Sequence, residues 1–475
     1  MVNLFFKTYG CQANVADSQS LENYLISLGN VQVVENENLA DLILINTCAI
    51  RDKAEKKVSS YIGQLAELKK NKTYLNIGVI GCMASYLKKE ILTRFDHVSF
   101  VFGAKDDLNI LKDYLHDLVL KLETIKEIYA HEQVHEQVHE KDNKVKFELK
   151  RLKKIINSKN VINNKVKELS DLSLGGVKNK DKELKQSFIN IMTGCNNYCS
   201  YCIVPFTRGR EKSYPSNILL DRIKRDLDLG VKEITLLGQN VNSYKDPVTN
   251  NGFEWLMEQV ANLTGEFWVR FVSAHPKDMT IDLLKVIADH QDKLCTFIHL
   301  PLQSGSNKIL QSMNRTYTIE KYMEQIDWVK KILPQATITT DIIVGFPGET
   351  EQDYLMTRKI IEQVRYDLIY SFIYSPRKYT KAALMLDNCS NEEKNKRLQE
   401  LQTRQMEICF ENNLLTVGKT FKTLVEKRLA NGKLLARTKG NLRVLCDSKD
   451  ELVGTFVKLK IKSAGRANLI GSLIE

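Results

Sequence analysis

Short apolar runs alternate with segments of helical periodicity over the first 118 residues. The predicted strands are VNLFFKTYG, LADLILIN, TYLNIGVIG and VSFVFGA. The predicted helices are SQSLENYLISLG, RDKAEKKVSSYIGQLAELKK, YLKKEILTRF and DDLNILKDYLHDLVLKL. This βαβα alternation predicts a parallel sheet with helices on both faces, which is a doubly wound α/β domain over residues 1–119.

The same alternation resumes at Gln186. The predicted strands are SFINIMTG, VKEITLLG, FWVRFVSA, CTFIHLPL, ITTDIIVGF and DLIYSFIYS, and a helical segment follows each of the first five. Six strands are too few for a closed eightfold barrel. We therefore predict a partial (βα)6 barrel over residues 187–412, so that the whole chain is a multidomain α/β protein.

Residues 413–475 have a different pattern, with five short strand-like runs in about 60 residues. This spacing predicts a small β-barrel of the size of an OB-fold. The segment has 13 Lys or Arg against 5 Asp or Glu, and it therefore holds most of the net charge of +11 of the chain. Such a basic module is typical of nucleic-acid binding, although a solvated lysine-rich face gives the same composition.

Residues 120–186 are polar and contain almost no aromatic side chains, so we interpret them as a charged linker or insertion. The segment includes HEQVHEQVHE, in which His131, His135 and His139 recur every four residues. One helical face could bind a metal ion through them, but a short polar duplication explains the repeat more simply.

The composition excludes several classes of protein. Of the 475 residues, 43% are hydrophobic, enough for packed domains, and no apolar run is as long as a membrane-spanning helix requires. The N-terminus MVNLFFKTYG does not have the pattern of a signal peptide. We expect a cytoplasmic protein without a membrane partner. In that compartment, the ten cysteines are better suited to metal or redox chemistry than to disulfides.

Three cysteines lie directly after the first predicted strand of the partial barrel. In GCNNYCSYC, Cys195, Cys199 and Cys202 have CxxxCxxC spacing, in a loop at the edge of the sheet where α/β folds place ligands. Three thiolates can hold three irons of a [4Fe–4S] cluster and leave the fourth iron open. A structural zinc site would need a fourth ligand, and none follows at finger spacing.

A second set of cysteines ends three predicted strands of the N-terminal domain. Cys11 follows KTYG, Cys48 follows LILINT and Cys82 follows IGVIG. Because the carboxyl ends of parallel strands meet at one edge of a sheet, these cysteines can converge on a second cluster. A single cysteine of this kind would be read as a small buried hydrophobic residue.

The CxxxCxΦC motif on a six-stranded partial barrel resembles the radical S-adenosylmethionine (SAM) superfamily. With the second cysteine set and the basic tail, the chain is identified as a member of the methylthiotransferase family. The motifs that support this are TYGCQAN, INTCAIRDKAEKK, GCMAS, GCNNYCSYCIVPFTRGRE, LLGQNVNSY, HLPLQSGS, DIIVGFPGET and YSPR. The tail resembles the RNA-binding TRAM module, so the resemblance covers all of the chain except 120–186.

The resemblance implies the activity and its requirements. We expect two [4Fe–4S] clusters, with SAM on the open iron of the Cys195/Cys199/Cys202 cluster and consumed as radical source and methyl donor. The partners would be a tRNA that carries isopentenyladenosine, an electron donor such as flavodoxin or ferredoxin, and a sulfur source. We expect the protein to be a monomer.

Family branches differ in substrate. One adds a methylthio group to carbon 2 of N(6)-isopentenyladenosine at tRNA position 37, one acts on threonylcarbamoyladenosine in tRNA, and one on an aspartate of a ribosomal protein. IRDKAEKK, TRGRE and GQNVNSY resemble the first branch most. Two departures stand out: Ala13 replaces the usual methionine, and RKYTKAA (377–383) replaces the usual Arg-Pro-Gly-Thr-Pro-Ala-Ala. A non-catalytic RNA-binding protein with structural metal is the alternative from another class.

Other candidate residues also have structural interpretations, and for the arginines a solvated charge is the more common one. Residues at the predicted strand ends that could contact SAM or substrate are Tyr201, Gln239, Gln303 and Ser304. Arg208 and Arg210 could bind RNA phosphate, and Gly345 and Gly348 could let the backbone approach a ligand. The remaining cysteines, which have no metal-binding spacing, are Cys295, Cys389, Cys409 and Cys446.

Overall fold

The computed structural model describes residues 1–49, 52–135 and 186–474, and their side chains over 1–49, 55–128 and 186–474. The chain forms two compact units, Met1–Gly176 and Val177–Glu475. No helix within the described ranges has the length and apolar character needed to cross a membrane. The histidine repeat lies outside the described side chains, and so does most of the predicted 120–186 linker.

The first unit contains a parallel five-stranded sheet in the order β2-β1-β3-β4-β5. Its strands are β1 Val2–Thr8, β2 Val31–Val33, β3 Leu42–Thr47, β4 Asn76–Gly81 and β5 Phe100–Gly103. Its helices are α1 Gln12–Ser27, α2 Asp52–Asn71, α3 Cys82–Arg94 and α4 Leu108–His135. The prediction of a doubly wound α/β domain is confirmed. The order reverses between β1 and β3, the point where such sheets bind ligands.

The central strand β3 is buried along its whole length, which explains its continuous apolar run. On one face, Ile43 packs with Ile62 of α2. On the other face, Leu44 packs in a second cluster with Leu21 of α1 and Leu115 of α4. Helix α4 continues past residue 119, the predicted end of the first domain, and that boundary stays a prediction.

The second unit begins with the six predicted strands of the partial barrel. They form two parallel sheets, β10-β9-β6 and β11-β12-β13. Their bounds are β6 Gln186–Asn190, β9 Glu233–Leu237, β10 Trp268–Phe271, β11 Phe297–His299, β12 Thr337–Val344 and β13 Leu368–Ile373. A short antiparallel pair, β7 Met192–Thr193 and β8 Lys212–Ser213, lies between the first two.

Helices follow the strands in alternation and cover the outer face. They are α5 Val204–Arg208, α6 Ser216–Asp228, α7 Phe253–Ala261, α8 Ile281–Asp289, α9 Asn307–Ser312, α10 Ile319–Ile332, α11 Glu351–Val364 and α12 Asn391–Leu414. One continuous core joins the strands to these helices, for example Ile342 of β12 with Tyr354 of α11.

The basic tail folds into a closed five-stranded barrel in the order β14-β15-β16-β18-β17, as predicted. Its strands are β14 Thr420–Arg428, β15 Leu434–Thr438, β16 Arg443–Cys446, β17 Phe456–Ala464 and β18 Leu469–Leu473. Closure leaves no free edge, and the core includes Val425, Leu434 and Ile461.

The barrel is fixed to the amino-terminal edge of the β9 and β10 strands through a buried carboxylate. Glu233, the first residue of β9, accepts hydrogen bonds from Arg270 at 2.8 Å and from Arg437 of the barrel at 2.6 Å. Arg270 also donates to the carbonyl oxygens of Thr438 and Lys439, each at 2.7 Å. The barrel and the strands therefore share one buried polar network.

Candidate cluster-binding sites

The loop that carries CxxxCxxC is held by the TRGR segment that follows it. Thr193 pairs with Lys212 across β7 and β8, and the N–H of Cys195 donates to the carbonyl of Gly209 at 3.2 Å. Gly194 has φ +77°, and a Cβ there would lie 2.1 Å from the carbonyl oxygen of Arg210. Only glycine fits this close approach, so the glycine of GCNNYCSYC sets the start of the loop.

The three cysteines of this loop lie close together in a buried environment. Cys195 and Cys199 are buried and Cys202 is half-buried, and the N–H of Cys202 donates to the carbonyl of Cys199 at 2.9 Å. Burial raises the pKa of Cys195 to about 11 and that of Cys202 to about 12, with neighbouring cysteines adding to both shifts. Buried thiols of this kind give up their protons to a bound metal ion.

A buried arginine beside these cysteines was not foreseen from the sequence. Arg315 donates from Nη1 to Sγ of Cys199 at 3.5 Å, from Nη2 to the carbonyl of Pro301 at 2.9 Å, and from Nε to the hydroxyl of Tyr317 at 3.0 Å. None of these partners is a carboxylate. A buried guanidinium needs negative charge nearby, and thiolates that bind a cluster supply it, so the donor set fits a [4Fe–4S] cluster.

Polar atoms without hydrogen-bond partners among the described residues occur after β9 and β10. They are Oε1 of Gln239, Oδ1 of Asn240 and Nε2 of His275, all buried. Burial, together with Arg315 and Lys277, lowers the pKa of His275 to about 2, so its ring is neutral. Unsatisfied buried polar groups at the carboxyl edge of the strands fit a polar ligand such as SAM.

The four residues predicted to contact SAM or substrate lie in different surroundings. Tyr201 packs edge-to-face on Phe346, with ring centroids 6.5 Å apart. Gln303 has φ +71°, and its backbone bonds to Asp341 and Ile343 of β12. Ser304 is buried, and its hydroxyl accepts from the N–H of Ser306 at 3.3 Å. Of the four, Gln239 has the unsatisfied atom that points to a ligand, and the ligand roles of all four stay predictions.

The candidate arginines and glycines also differ in their surroundings. Arg208 is buried and Arg210 is exposed, so Arg210 is the better placed of the two for phosphate. A Cβ on Gly345 would lie 2.3 Å from the side chain of Lys394, which means that the close approach there is to α12. Gly348 has φ +83° in an open turn.

The N-terminal cysteines converge at the carboxyl edge of β1, β3 and β4, next to the point where the strand order reverses. Thr47 pairs with Gly81 across β3 and β4, so Cys48 and Cys82 occupy neighbouring positions. The N–H of Tyr9 donates to the carbonyl of Asn46 at 2.8 Å, which places the chain that leads to Cys11 beside the end of β3. The sheet register thus brings these three distant cysteines to one edge.

Asn14, which is fully buried, links the Cys11 turn to the end of β3 and was not foreseen from the sequence. Its Nδ2 donates to Oδ1 of Asn46 at 2.9 Å and to the carbonyl of Thr47 at 3.1 Å, while its Oδ1 accepts from Sγ of Cys11 at 3.3 Å. Cys48 and Cys82 are buried and Cys11 is exposed, so access to this set is from the side of Cys11.

In the part of the chain that the structure describes, no three His, Cys, Asp or Glu side chains are close enough to hold a single metal ion. Sites in which each cysteine binds a different iron are more widely spaced. The four other cysteines are apart from both sets: Cys446 lies in the barrel core, Cys295 packs with Trp268 and Leu424, and Cys389 and Cys409 are half-buried.

Comparison with known proteins agrees with this arrangement. Residues 3–103 match the family described as "Uncharacterized protein family UPF0004", and residues 189–361 match the "Radical SAM superfamily". The fold and the CxxxCxxC loop therefore define a radical SAM protein with an additional N-terminal domain. The chain belongs to the family of tRNA-2-methylthio-N(6)-dimethylallyladenosine synthases.

Relatives with that name are similar over nearly the full length. The protein from Parabacteroides distasonis is 38% identical over 99% of this chain and 95% of its own. The protein from Caldicellulosiruptor saccharolyticus is 40% identical over 98% of this chain and 91% of its own. The protein from Carboxydothermus hydrogenoformans is 38% identical over 98% of each chain.

Solved structures show the same fold at low identity. The radical SAM methyltransferase TsrM from Kitasatospora setae, with cobalamin and a [4Fe-4S] cluster bound, aligns with a TM-score of 0.53 and 10% identity over 80% of this chain and 77% of that chain. The apo form of the cobalamin-dependent enzyme OxsB aligns with a TM-score of 0.51 and 13% identity over 85% and 56% of the two chains.

Proposed function

We propose that this protein adds a methylthio group to carbon 2 of N(6)-dimethylallyladenosine at position 37 of tRNA. The observation that carries the proposal is the similarity of 36–40% along nearly the whole chain to relatives that are all named for this reaction.

The chemistry explains why such a protein needs a radical. Carbon 2 of adenine carries an unactivated C–H bond, and no side chain at an ordinary pKa removes that hydrogen. A [4Fe–4S] cluster with SAM supplies a 5′-deoxyadenosyl radical for this step. Cys195, Cys199 and Cys202 would hold that cluster, and Arg315 would balance its negative charge by donating to Sγ of Cys199.

The second cysteine set would hold the cluster that provides sulfur. The network of Asn14 and Asn46 fixes the Cys11 turn against the end of β3, which keeps the three thiols at one edge. Exposure of Cys11 leaves one side of this edge open to a sulfur donor. An external sulfur source and an electron donor such as flavodoxin or ferredoxin complete the proposed reaction, which would take place in the cytoplasm.

The C-terminal barrel would bind the tRNA backbone. Lys458, Lys460 and Lys462 alternate along β17 and are all exposed, so they form one outward basic stripe. By contrast, Arg428 and Arg437 are bound to groups of the protein itself. The lysine stripe can therefore contact phosphates without breaking internal pairs.

The test is nucleoside mass spectrometry of tRNA from a strain that lacks the gene. We expect the 2-methylthio nucleoside to disappear and N(6)-dimethylallyladenosine to accumulate, with recovery by the wild-type gene and none by the Cys195→Ala variant. Persistence of the methylthio nucleoside would contradict the substrate assignment. If threonylcarbamoyladenosine loses its methylthio group instead, the protein belongs to the second branch.

Metal analysis separates the enzyme from a non-catalytic protein with structural metal. Anaerobically prepared protein should contain about eight irons per chain, the content of two [4Fe–4S] clusters, and should cleave SAM after reduction. The Cys11→Ala/Cys48→Ala/Cys82→Ala variant should retain about half of the iron and still cleave SAM without methylthiolating tRNA. Zinc in place of iron would overturn the proposal.

A further inference from the structure

The segment RKYTKAA (377–383) departs from the family pattern, and it contacts the CxxxCxxC loop directly. The N–H of Ala382 donates to the carbonyl of Ser200 at 2.8 Å, and Ser200 lies between Cys199 and Cys202. Ser200 is held in turn, because its N–H donates to the carbonyl of Met313 at 2.9 Å. Side chains that are exposed on this segment therefore lie at the rim of the proposed active site.

Tyr379 occupies the position at which the usual Arg-Pro-Gly-Thr-Pro-Ala-Ala sequence has glycine. Its φ is +72°, in the left-handed region that is costly for a bulky side chain. Glycine adopts such a φ without strain, whereas this chain has an aromatic residue in a strained backbone. Strain of this kind at the edge of an active site leads to the hypothesis that the side chain has a function.

Tyr379 pairs with an aromatic residue of the cluster motif itself. Its ring lies 6.3 Å from that of Phe206 at an interplanar angle of 33°, and Phe206 lies on α5, four residues after Cys202. The exposed fractions are 56% for Tyr379 and 41% for Phe206, which is high for two adjacent large rings. Aromatic rings that only fill a core would not be exposed to this extent.

The surroundings of this aromatic pair, Phe206 and Tyr379, are basic. Nζ of Lys378 lies 5.5 Å from the ring centroid of Tyr379, within cation–π distance. Lys381, two residues after Tyr379, and Arg210, four residues after Phe206, are both exposed. An apolar pair with one cation against a ring and two exposed cations nearby in the sequence suits a ligand with a flat π face and a negative backbone, which describes an unpaired nucleotide better than a protein surface.

We propose that the aromatic pair stacks an unpaired base of the substrate tRNA that flanks the target adenosine. This proposal rests on the proposed function, since it assumes that the RNA enters beside the cysteine loop. Sequence-specific RNA recognition uses single-stranded loops whose bases are splayed out and stacked on aromatic rings. Stacking of this kind accepts any base, so it would position the anticodon loop without selecting its sequence.

The experiment measures the Kd of the reconstituted holoenzyme for tRNA that contains N(6)-dimethylallyladenosine, at fixed salt. Tyr379→Gly removes the ring and suits the turn, so we expect a Tm no lower than that of the wild type and a Kd raised roughly tenfold, the loss expected for one stacked base. Phe206→Ala should raise the Kd similarly, and Tyr379→Phe should bind like the wild type. Leu229→Ala, an exposed residue at the end of α6, serves as the control.

SAM cleavage by the chemically reduced enzyme in the absence of tRNA should be the same in all of these variants, since no variant removes a cysteine ligand. The proposal is overturned if Tyr379→Gly and Phe206→Ala bind tRNA as the wild type does, or if Leu229→Ala weakens binding equally. Mass spectrometry of the tRNA product distinguishes failure of the stacking site from failure of the proposed function. If the wild type methylthiolates the tRNA while both variants bind normally, the stacking site fails and the proposed function stands. If the wild type does not methylthiolate it, the proposed function fails.

Discussion

Nη1 of Arg315 lies 3.5 Å from Sγ of Cys199, although the two residues are 116 positions apart in the chain. The other hydrogen bonds of this guanidinium go to Pro301 and Tyr317, so its charge is not neutralised by a carboxylate among the described residues. The arginine thus provides positive charge and a hydrogen-bond donor at one thiolate of the proposed cluster. Hydrogen bonds to cluster sulfur are among the factors that set its reduction potential.

We expect Arg315→Gln to lower the reduction potential of the Cys195/Cys199/Cys202 cluster by roughly tens of millivolts, because the reduced, more negative form loses a cationic donor. A titration monitored by electron paramagnetic resonance measures this potential in the reconstituted protein. Arg358→Gln is the matched control, since Arg358 is 39% exposed and pairs at the surface with Glu400. An unchanged potential in Arg315→Gln, with iron content intact, would show that the contact with Cys199 has no electronic role.

The buried amide of Asn14 should decide whether the second cluster, held by Cys11, Cys48 and Cys82, assembles. Asn14→Ala removes the bonds to Asn46 and Thr47 and leaves their polar atoms unsatisfied, at a cost of about 1–3 kcal/mol in the free energy of unfolding. Iron content should fall toward half of the wild-type value, while SAM cleavage is retained. Gln32→Ala, at an exposed position of β2, is the control and should change neither quantity. Full iron content in Asn14→Ala would contradict a positioning role for this residue.

Most helices and strands could be predicted from the sequence because they depend on local periodicity. The two cysteine sets could be predicted because their members follow the ends of strands. Contacts that depend on tertiary packing could not be predicted. Arg315 lies in MNRTYT without any metal-binding spacing, and only the fold brings it to Cys199. The three-residue strand β2 is too short to produce a detectable pattern. The strain at Tyr379 is invisible without a backbone, even though the departure from the family pattern marks its position.

Glu233 should control the attachment of the C-terminal barrel. Burial raises the pKa of this carboxyl, but Arg270 and Arg437 offset this and hold it below its ordinary value of 4.5. A lowered pKa means that the ionised form stabilises the fold at neutral pH, and that this stabilisation is lost as the pH falls through the lowered value. The barrel should therefore loosen in acid.

Removal of the Glu233 charge should lower the free energy of unfolding strongly at neutral pH. Glu233→Gln leaves the buried Arg270 without its carboxylate, at a cost of about 3–5 kcal/mol, whereas the half-buried Arg437 keeps its ion pair with Glu426. Denaturant unfolding at pH 7 measures this cost, and limited proteolysis should release the barrel. Glu266→Gln, which breaks an exposed pair with Lys422, should cost less than about 1 kcal/mol. Equal effects of the two variants would show that the buried network does not hold the barrel.

The lysine stripe of β17 should contribute to tRNA binding through phosphates alone. Replacement of Lys458, Lys460 and Lys462 by glutamine removes three exposed charges that have no internal hydrogen-bond role in the described structure, so folding should be unaffected. We expect weaker binding of all tRNAs and a plot of log Kd against log salt whose slope is smaller by about two to three, near one for each lost phosphate contact. The control is Lys285→Gln on α8, far from the barrel in sequence and paired at the surface with Asp282. An unchanged slope in the triple variant would place the phosphate contacts on another surface, whereas a change in base preference would mean that these lysines read sequence.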